Sequence, residues 1–206
     1  MPSILDYIEA FLGYLFSSFR GRDAGLFTKS PAFADHPVPT LEVHSPECGA
    51  STSSLLIHHT PFGENRFPEL TWSVPSTMTE PIREYLLVVE DPDAPLPTPI
   101  VHGVYYSIPT DKTHVSPADF EKGSESKVLR GGFRYGKNRR GIVWMGARPI
   151  VNHGPHRYLF QVVALKEALD LGALSEIATP EELKEDLVGK VAGWGEWIGV
   201  YERTLK

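Results

Sequence analysis

The feature that most constrains the fold is a series of short apolar runs separated by turn residues. The runs are rich in Val, Ile, Leu, Tyr and Phe, which is typical of β-strands. No helical pattern of about 10–15 residues recurs between the runs, so a wound parallel α/β sheet is not expected. The sequence therefore predicts a mainly β body built from the runs SLLIHHT, LTWSV, YLLVVE, GVYYSI, RYLFQVVAL and EWIGVYER.

Helices are predicted at the two ends of the chain. Residues 3–20 carry apolar side chains at helical spacing behind Ser3, a plausible N-cap. Thr179, Pro180 and Glu182 form an N-cap, a first-turn proline and a capping box, which predicts a helix running to about Val191. We divide the chain into an amphipathic N-terminal helix with a hinge, residues 1–22, and a β domain, residues 23–206.

The apolar stripe of the N-terminal helix must be buried against another surface. We expect it to pack on its own domain or on a second copy of the chain rather than on a membrane. Asp6 and Glu9 interrupt the stripe, and no Lys or Arg precedes Arg20 to attract anionic lipid. The uninterrupted apolar part is shorter than the roughly 20 residues of a membrane span. The stripe consists of Ile4, Leu5, Ile8, Phe11, Leu12, Leu15, Phe16 and Phe19.

The composition restricts the kinds of binding partner and the cellular compartment that we expect. A formal net charge of −6 disfavours a dedicated nucleic-acid binder, whose phosphate contacts need a basic surface. Cys48 is the single cysteine, so the chain has no intramolecular disulfide, and the sequence has no N-glycosylation motif. We therefore predict a cytoplasmic protein without a nucleic-acid partner or a transmembrane segment.

Two carboxylates follow the apolar run YLLVVE. Asp91 and Asp93 alternate with prolines, which makes DPDAP a stiff turn. A strand that ends in Asp-x-Asp is also typical of magnesium-dependent phosphotransferases, but their strand–helix alternation is missing here. A hydrolase that uses Asp91 and the histidines, with or without a metal, is therefore the alternative to a binding protein.

A donor-rich pocket is the interpretation that the later residues favour. His156 and Tyr158 alternate with Arg157 on a predicted strand, so their side chains share one face. Imidazole and phenol groups can donate hydrogen bonds, and Asp91 could orient them. Together with His102, these side chains could bind a small anion such as phosphate.

Two further clusters leave alternatives open. His58-His59 and His153-x-x-His156 invite a zinc assignment, but the latter pair lies in a Gly/Pro loop rather than on a helix, and we predict no metal and no cofactor. The basic run KVLRGGFRYGKNRR, from Lys127 to Arg140, is either a solvated hairpin face or a rim that attracts phosphate.

These motifs together resemble the phosphatidylethanolamine-binding proteins, the family of the Raf kinase inhibitor protein and the plant flowering-time proteins. One signature is Asp91, Asp93 and Pro95 followed by His102 and GVYYSIP; the other is Gly154, His156, Arg157 and Tyr158 after WMGARP. The segments FPELTWS and GKNRRG match more loosely, and GWGEWIGVYER resembles the ending of the bacterial and archaeal branch. The resemblance covers roughly residues 26–204.

The resemblance implies an antiparallel β-sandwich with peripheral helices. It implies non-catalytic binding of phosphate or of a phospholipid head group such as phosphoethanolamine, and modulation of a kinase or a protease. Carried over, the ligand-binding residues would be Asp91, His102, His156 and Tyr158, with Gly146 admitting the anion to the backbone. The pocket rim would consist of Asp93, Pro95, Arg148, Pro149 and Gly154.

Overall fold

The computed structural model describes residues 2–123 and 127–205. These residues form a mainly β fold, as predicted, with one helix towards each end: α1 (Ile4–Phe16) and α2 (Pro180–Asp186). The strands are β1 (Glu42–His44), β2 (Ser53–Ser54), β3 (Leu70–Ser73), β4 (Glu84–Asp91), β5 (Ile100–Ile108), β6 (His114–Val115), β7 (Arg134–Tyr135), β8 (His156–Leu165) and β9 (Val191–Tyr201).

The strands form two sheets. The larger sheet has the order β2-β9-β8-β4-β5-β7 and the smaller sheet the order β1-β3-β6. All neighbours are antiparallel except β2 and β9. Because β4 lies antiparallel to both β5 and β8, its last residues lie beside the first residues of these two strands. Asp91, His102 and His156 therefore meet at one edge of the larger sheet.

Two apolar cores cover the two faces of the larger sheet. Leu87 and Val89 of β4 face the smaller sheet and pack in a cluster with Trp72 of β3. Their neighbours Leu86 and Val88 point to the other face and pack with residues of the N-terminal segment and of α2. This alternation explains why β4 is apolar at every position rather than at every second one.

Most of the predicted strands are confirmed, with two corrections. The run SLLIHHT is not a strand beyond Ser54, because residues 57–59 form a 3₁₀ turn. The side chain of Thr60 donates to the Ile57 carbonyl and helps to close that turn. The helix that begins after Thr179 ends at Asp186 instead of Val191, because the chain turns at Gly189 (φ +79°) and Val191 already pairs with β8.

Helix α1 packs on its own domain through its small side chains. Ser3 and Asp6 form a capping box, and Ala10 and Gly13 are the buried residues. A Cβ atom on Gly13 would lie 1.9 Å from the carbonyl oxygen of Val151, so only glycine allows this approach. Of the two expected partners for the apolar stripe, its own domain and a second copy of the chain, the first is wrong: the large side chains of the stripe are 37–77% exposed.

The segment that follows α1, at the end of the predicted helix and hinge of residues 1–22, is bound to the turn that follows β4. The amide of Gly21 donates to Asp93 and Arg22 Nε donates to the Leu96 carbonyl, over 3.1 Å each. Arg20 donates to the carbonyl of Pro155. Over the described residues, no helix is long and apolar enough to cross a membrane.

Candidate functional site

The Asp91 carboxylate organises the turn between β4 and β5. Its Oδ1 accepts hydrogen bonds from the amides of Asp93 (2.8 Å) and Ala94 (3.2 Å). Its Oδ2 accepts from His156 Nδ1 at 2.8 Å, and both side chains are buried. Asp91 is therefore a fixed structural acceptor as well as part of the site.

His153 and His156 form a hydrogen-bonded pair of imidazoles. His156 Nε2 lies 2.7 Å from His153 Nδ1, and His153 Nε2 donates to the Phe16 carbonyl at the end of α1 over 2.8 Å. A carbonyl and a carboxylate only accept, so both outer nitrogens carry protons, and a third proton lies between the rings. The pair thus carries one positive charge, which Asp91 balances. Burial and the neighbouring His156 lower the pKa of His153.

Asp93 belongs to a separate ion-pair network on the outer side of β8. It accepts hydrogen bonds from the backbone amide, Nε and Nη2 of Arg157, over 2.8–2.9 Å. Arg157 also pairs with Asp23. Burial alone would raise the pKa of Asp93, but the hydrogen bonds from Arg157 outweigh it and hold the pKa below its ordinary value. Asp93 therefore anchors the N-terminal segment and does not line the cavity.

His102 presents a buried nitrogen without a protein partner. Its Nδ1 lies 2.5 Å from the Met145 carbonyl and must carry the proton, which leaves a lone pair on Nε2. In the part of the chain that the structure describes, neither His102 Nε2 nor the Tyr158 hydroxyl has a hydrogen-bond partner. Burial lowers the pKa of His102 and raises that of Tyr158. Their rings meet edge to face with centroids 5.1 Å apart.

A cavity of about 340 Å³ opens at this edge of the sheet. Tyr158 lies beneath His102, outside the lining, and Asp93 and Gly154 do not line it either. Of the residues predicted from the sequence, the cavity is lined by Asp91, Pro95, His102, Gly146, Arg148, Pro149 and His156.

Gly146 has a different role from the predicted one. Its amide donates to Asn65 Oδ1 over 3.1 Å. A Cβ atom at this position would lie 2.1 Å from that oxygen and 2.6 Å from the carbonyl of His59. Glycine is thus needed for the close approach of the loop that contains His59 and Asn65, and its amide is not free for an anion.

Sequence reasoning missed the individual roles of Asn138, Arg139 and Arg140. Asn138 Oδ1 accepts from the amides of Arg140 and Ile142, and its Nδ2 donates to the His102 carbonyl. This buried side chain shapes the GKNRRG turn, which places Arg139 and Arg140 at the cavity. The sequence feature that points to these arginines is the basic run Lys127–Arg140, which is interpreted above either as a solvated hairpin face or as a rim that attracts phosphate.

The charges of the lining favour an anion. Arg139, Arg140 and Arg148 line the cavity, and all three are exposed to solvent at its mouth. The one carboxylate in the lining, Asp91, is balanced by the imidazole pair behind it. Arg148 also lies 3.9 Å from Glu9, which is itself paired with Arg203, so among the described residues the lining keeps a net positive charge, which attracts anions from solution.

Comparison with known proteins assigns this chain to a protein family. The family model described as phosphatidylethanolamine-binding protein matches residues 36–202. The chain belongs to the phosphatidylethanolamine-binding protein family, which confirms the resemblance seen in the sequence.

Individual relatives are similar over most of the chain. A fungal protein called phomoidride biosynthesis cluster protein B is 44% identical over 99% of this chain and 98% of its own length. A protein of the same name from Talaromyces stipitatus is 41% identical, over 97% of this chain and 83% of the relative. The crystal structure of Escherichia coli YbcL superposes with a TM-score of 0.66 at 27% identity, over 81% of this chain and 99% of that one.

Proposed function

We propose that the protein binds a small anion, of phosphate or phosphoethanolamine type, in the cavity beside His102 without chemically changing it. The observation that carries this proposal is the buried, unpartnered Nε2 of His102 in a cavity lined by three arginines. A buried polar atom without a partner is costly, and a ligand that donates a hydrogen bond to this lone pair, such as a phosphate that keeps a P–OH group, or an anion that binds together with a proton, removes that cost. Membership of the phosphatidylethanolamine-binding protein family supports a binding role.

The arrangement of Asp91 argues against the alternative, a hydrolase. A nucleophile or general base needs an oxygen free to face the substrate. Both oxygens of Asp91 already accept hydrogen bonds from Asp93, Ala94 and His156. His156 likewise uses both ring nitrogens within the protein.

Phosphate or phosphoethanolamine should bind to the full-length chain, and Arg148→Ala should weaken binding by about tenfold or more. The reason is that a hydrogen bond to a charged group contributes roughly 1.5–3 kcal/mol. Isothermal titration calorimetry measures the affinity, and Arg83→Ala, at an exposed arginine beside the opposite end of β4, is the matched control. Equal affinities of wild type and Arg148→Ala would remove the assignment, and turnover of a generic phosphoester that Asp91→Ala abolishes would favour the hydrolase.

The same titration has a predicted pH dependence. Burial lowers the pKa of His102 in the free protein, whereas an anion beside Nε2 would raise it. Binding an anion without an acidic hydrogen, such as acetate, therefore takes up a proton, and its affinity rises as the pH falls from about 8 to about 6. His102→Gln should flatten this profile. An equally steep profile in the variant would place the titrating group elsewhere.

We further propose that the outward face of α1 pairs with a second copy of the chain. Large apolar side chains cover that face, whereas the acidic Glu9 is turned to the protein and paired with Arg203. Aromatic side chains bury about 150–250 Å² each, so the four exposed aromatic residues of α1, together with Phe19 just beyond it and the aliphatic neighbours, can supply the roughly 800 Å² per partner of a stable interface. Helix α1 has no Lys or Arg, so it carries no positive charge that would favour binding to anionic lipid over a second copy of the chain.

Sedimentation velocity tests this pairing. The wild type is expected to form a dimer, and the double variant Phe11→Ser/Leu15→Ser should be monomeric because the centre of the apolar face is lost. Val188→Ser, at an exposed apolar residue outside α1, should leave the dimer intact. A monomeric wild type would contradict the proposal. Co-sedimentation with phosphatidylcholine vesicles, lost in the double variant, would assign the face to a membrane.

Two finer predictions from the sequence remain proposals. A protein partner such as a kinase or a protease follows from the family resemblance alone. A reducing compartment such as the cytoplasm is supported by the single cysteine, Cys48, which is free.

A further inference from the structure

A second group of polar side chains lies apart from the cavity, where two loops meet. Glu47 and Cys48 follow β1, and His58 and His59 lie in the 3₁₀ turn of residues 57–59. Glu47 Oε1 lies 3.5 Å and Cys48 Sγ also 3.5 Å from His59 Nε2, and Glu47 Oε2 lies 3.6 Å from His58 Nε2. We propose that Glu47, Cys48, His58 and His59 form a binding site for a zinc-type divalent metal ion.

Three distances match a tetrahedral site before any metal is added: those of Glu47 and Cys48 from His59 and that of Glu47 from His58, while Cys48 is close to His59 alone. Ligands about 2.0–2.3 Å from a tetrahedral zinc ion lie roughly 3.3–3.8 Å from one another. Ligand atoms of Glu47, His58 and His59 all lie within 4.8 Å of one another. A thiolate, two imidazoles and a carboxylate are the ligand types that zinc takes in proteins.

The hydrogen bonds around the cluster leave lone pairs directed inward. His59 Nδ1 donates to the Arg66 carbonyl over 3.2 Å, so its Nε2 is unprotonated. Glu47 Oε1 accepts from the amide of Glu69, which fixes the carboxylate. The Nε2 lone pair of the fully buried His59 therefore accepts a weak hydrogen bond from the Cys48 thiol and also faces a Glu47 carboxylate oxygen, another acceptor, 3.5 Å away. A cation between them removes the repulsion.

Arg66 supplies positive charge at this position in the metal-free protein. Its Nη2 lies 2.8 Å from both Glu47 Oε2 and His58 Nε2, so His58 also presents a lone pair here. The Arg66 side chain is 37% exposed and can swing outward. The metal would replace the guanidinium, and the Cys48 thiol would release its proton to solvent on binding.

A metal at this site would brace one wall of the anion cavity. The loop that carries the two histidines continues to Pro61, which lines the cavity, and to Asn65, which holds Gly146. The site is not apparent from the sequence, because Glu47 and Cys48 lie on a different loop from the two histidines.

Metal content and cobalt spectroscopy of the untagged, full-length protein test the proposal. The wild type should bind one zinc ion per chain, and Cys48→Ser and His58→Gln should each weaken zinc binding about tenfold or more. Co²⁺ should give a thiolate charge-transfer band that Cys48→Ser abolishes. Arg66→Ala should bind zinc more tightly than the wild type, because the competing cation is gone. His44→Gln, at an exposed histidine of β1, should bind as the wild type does.

The outcomes separate the metal site from a plain ion pair. If Glu47 and Arg66 form only an ion pair, the zinc content of the wild type will equal that of Cys48→Ser and His58→Gln, and Arg66→Ala will not tighten binding. Either result overturns the proposal. Circular dichroism shows whether each variant folds, and the conservative Cys48→Ser keeps the test valid if His58→Gln does not fold.

Discussion

Asp91→Asn is expected to lower the free energy of unfolding by about 3–5 kcal/mol, the cost of removing one partner of a buried ion pair. The amide nitrogen of an asparagine cannot accept the proton of His156 Nδ1, which Asp91 Oδ2 now accepts at 2.8 Å. The positive charge shared by His153 and His156 would then lie buried without its counter-ion. Urea denaturation at neutral pH measures the loss.

The control for this variant is an aspartate in another turn. Asp111 is exposed, so Asp111→Asn should change stability by less than about 0.5 kcal/mol. The ¹⁵N chemical shifts of the imidazoles give a second readout, since loss of the counter-ion should favour loss of the third proton from the pair. Unchanged stability together with unchanged imidazole shifts would refute the assigned charge on the pair.

Gly13→Leu is expected to detach α1 from the domain while favouring the helix itself. Leucine has a better helix propensity than glycine, which lies about 0.8–1 kcal/mol below alanine, so the helix gains intrinsic stability. A Cβ at this position nevertheless collides with the backbone carbonyl of Val151. Neither atom can move away unless the helix and the Val151 segment separate. Overpacking of this kind costs about 1–3 kcal/mol or more. The contacts between His153 and the Phe16 carbonyl and between Glu9 and Arg203 would be lost with it.

Hydrogen–deuterium exchange resolves this prediction by segment. In Gly13→Leu, the amides of α1 and those of the Val151–His153 turn should exchange faster, while β4 and β8 keep their protection. Tyr14→Leu places the same side chain on the neighbouring, exposed position and should leave exchange unchanged. Equal protection of the turn in both variants would mean that α1 is not held by this contact.

The sequence predicts those parts of the fold that depend on local chemistry. The N-cap at Ser3 and the capping box at Thr179 form as predicted, because the interacting residues are three positions apart; Ser3 also forms a capping box with Asp6, which was not predicted. The long strands are predicted correctly because each is apolar and bounded by turn residues. The fate of the α1 stripe could not be predicted, since periodicity identifies an apolar face but not which face meets a neighbour. Here Gly13 and Ala10 allow the closest approach.

In the candidate site, too, some contacts can be predicted from the sequence and others cannot. Asp91, His102 and His156 come together because their strands are adjacent and antiparallel, which the motifs anticipate. In contrast, His156 Nε2 is hydrogen-bonded within the protein because His153 lies beside it. His153 is held in turn by the carbonyl of Phe16, which is 137 residues away from it in the chain. Likewise, the GKNRRG motif does not reveal that Asn138 bonds to the backbone of β5. Such long-range contacts have no local signature.

The position of β9 in the larger sheet bears on how the chain folds during synthesis. β9 follows every other strand in the sequence, yet it lies between β2 and β8. Trp197 on this strand donates to the carbonyl of Gly49, 148 residues earlier. Until β9 leaves the ribosome, β2 has no neighbour in the sheet and β8 presents a free edge, which is prone to pair with other chains. The nascent protein therefore depends on its last strand for closure, and a chain stalled before Val191 is expected to need a chaperone.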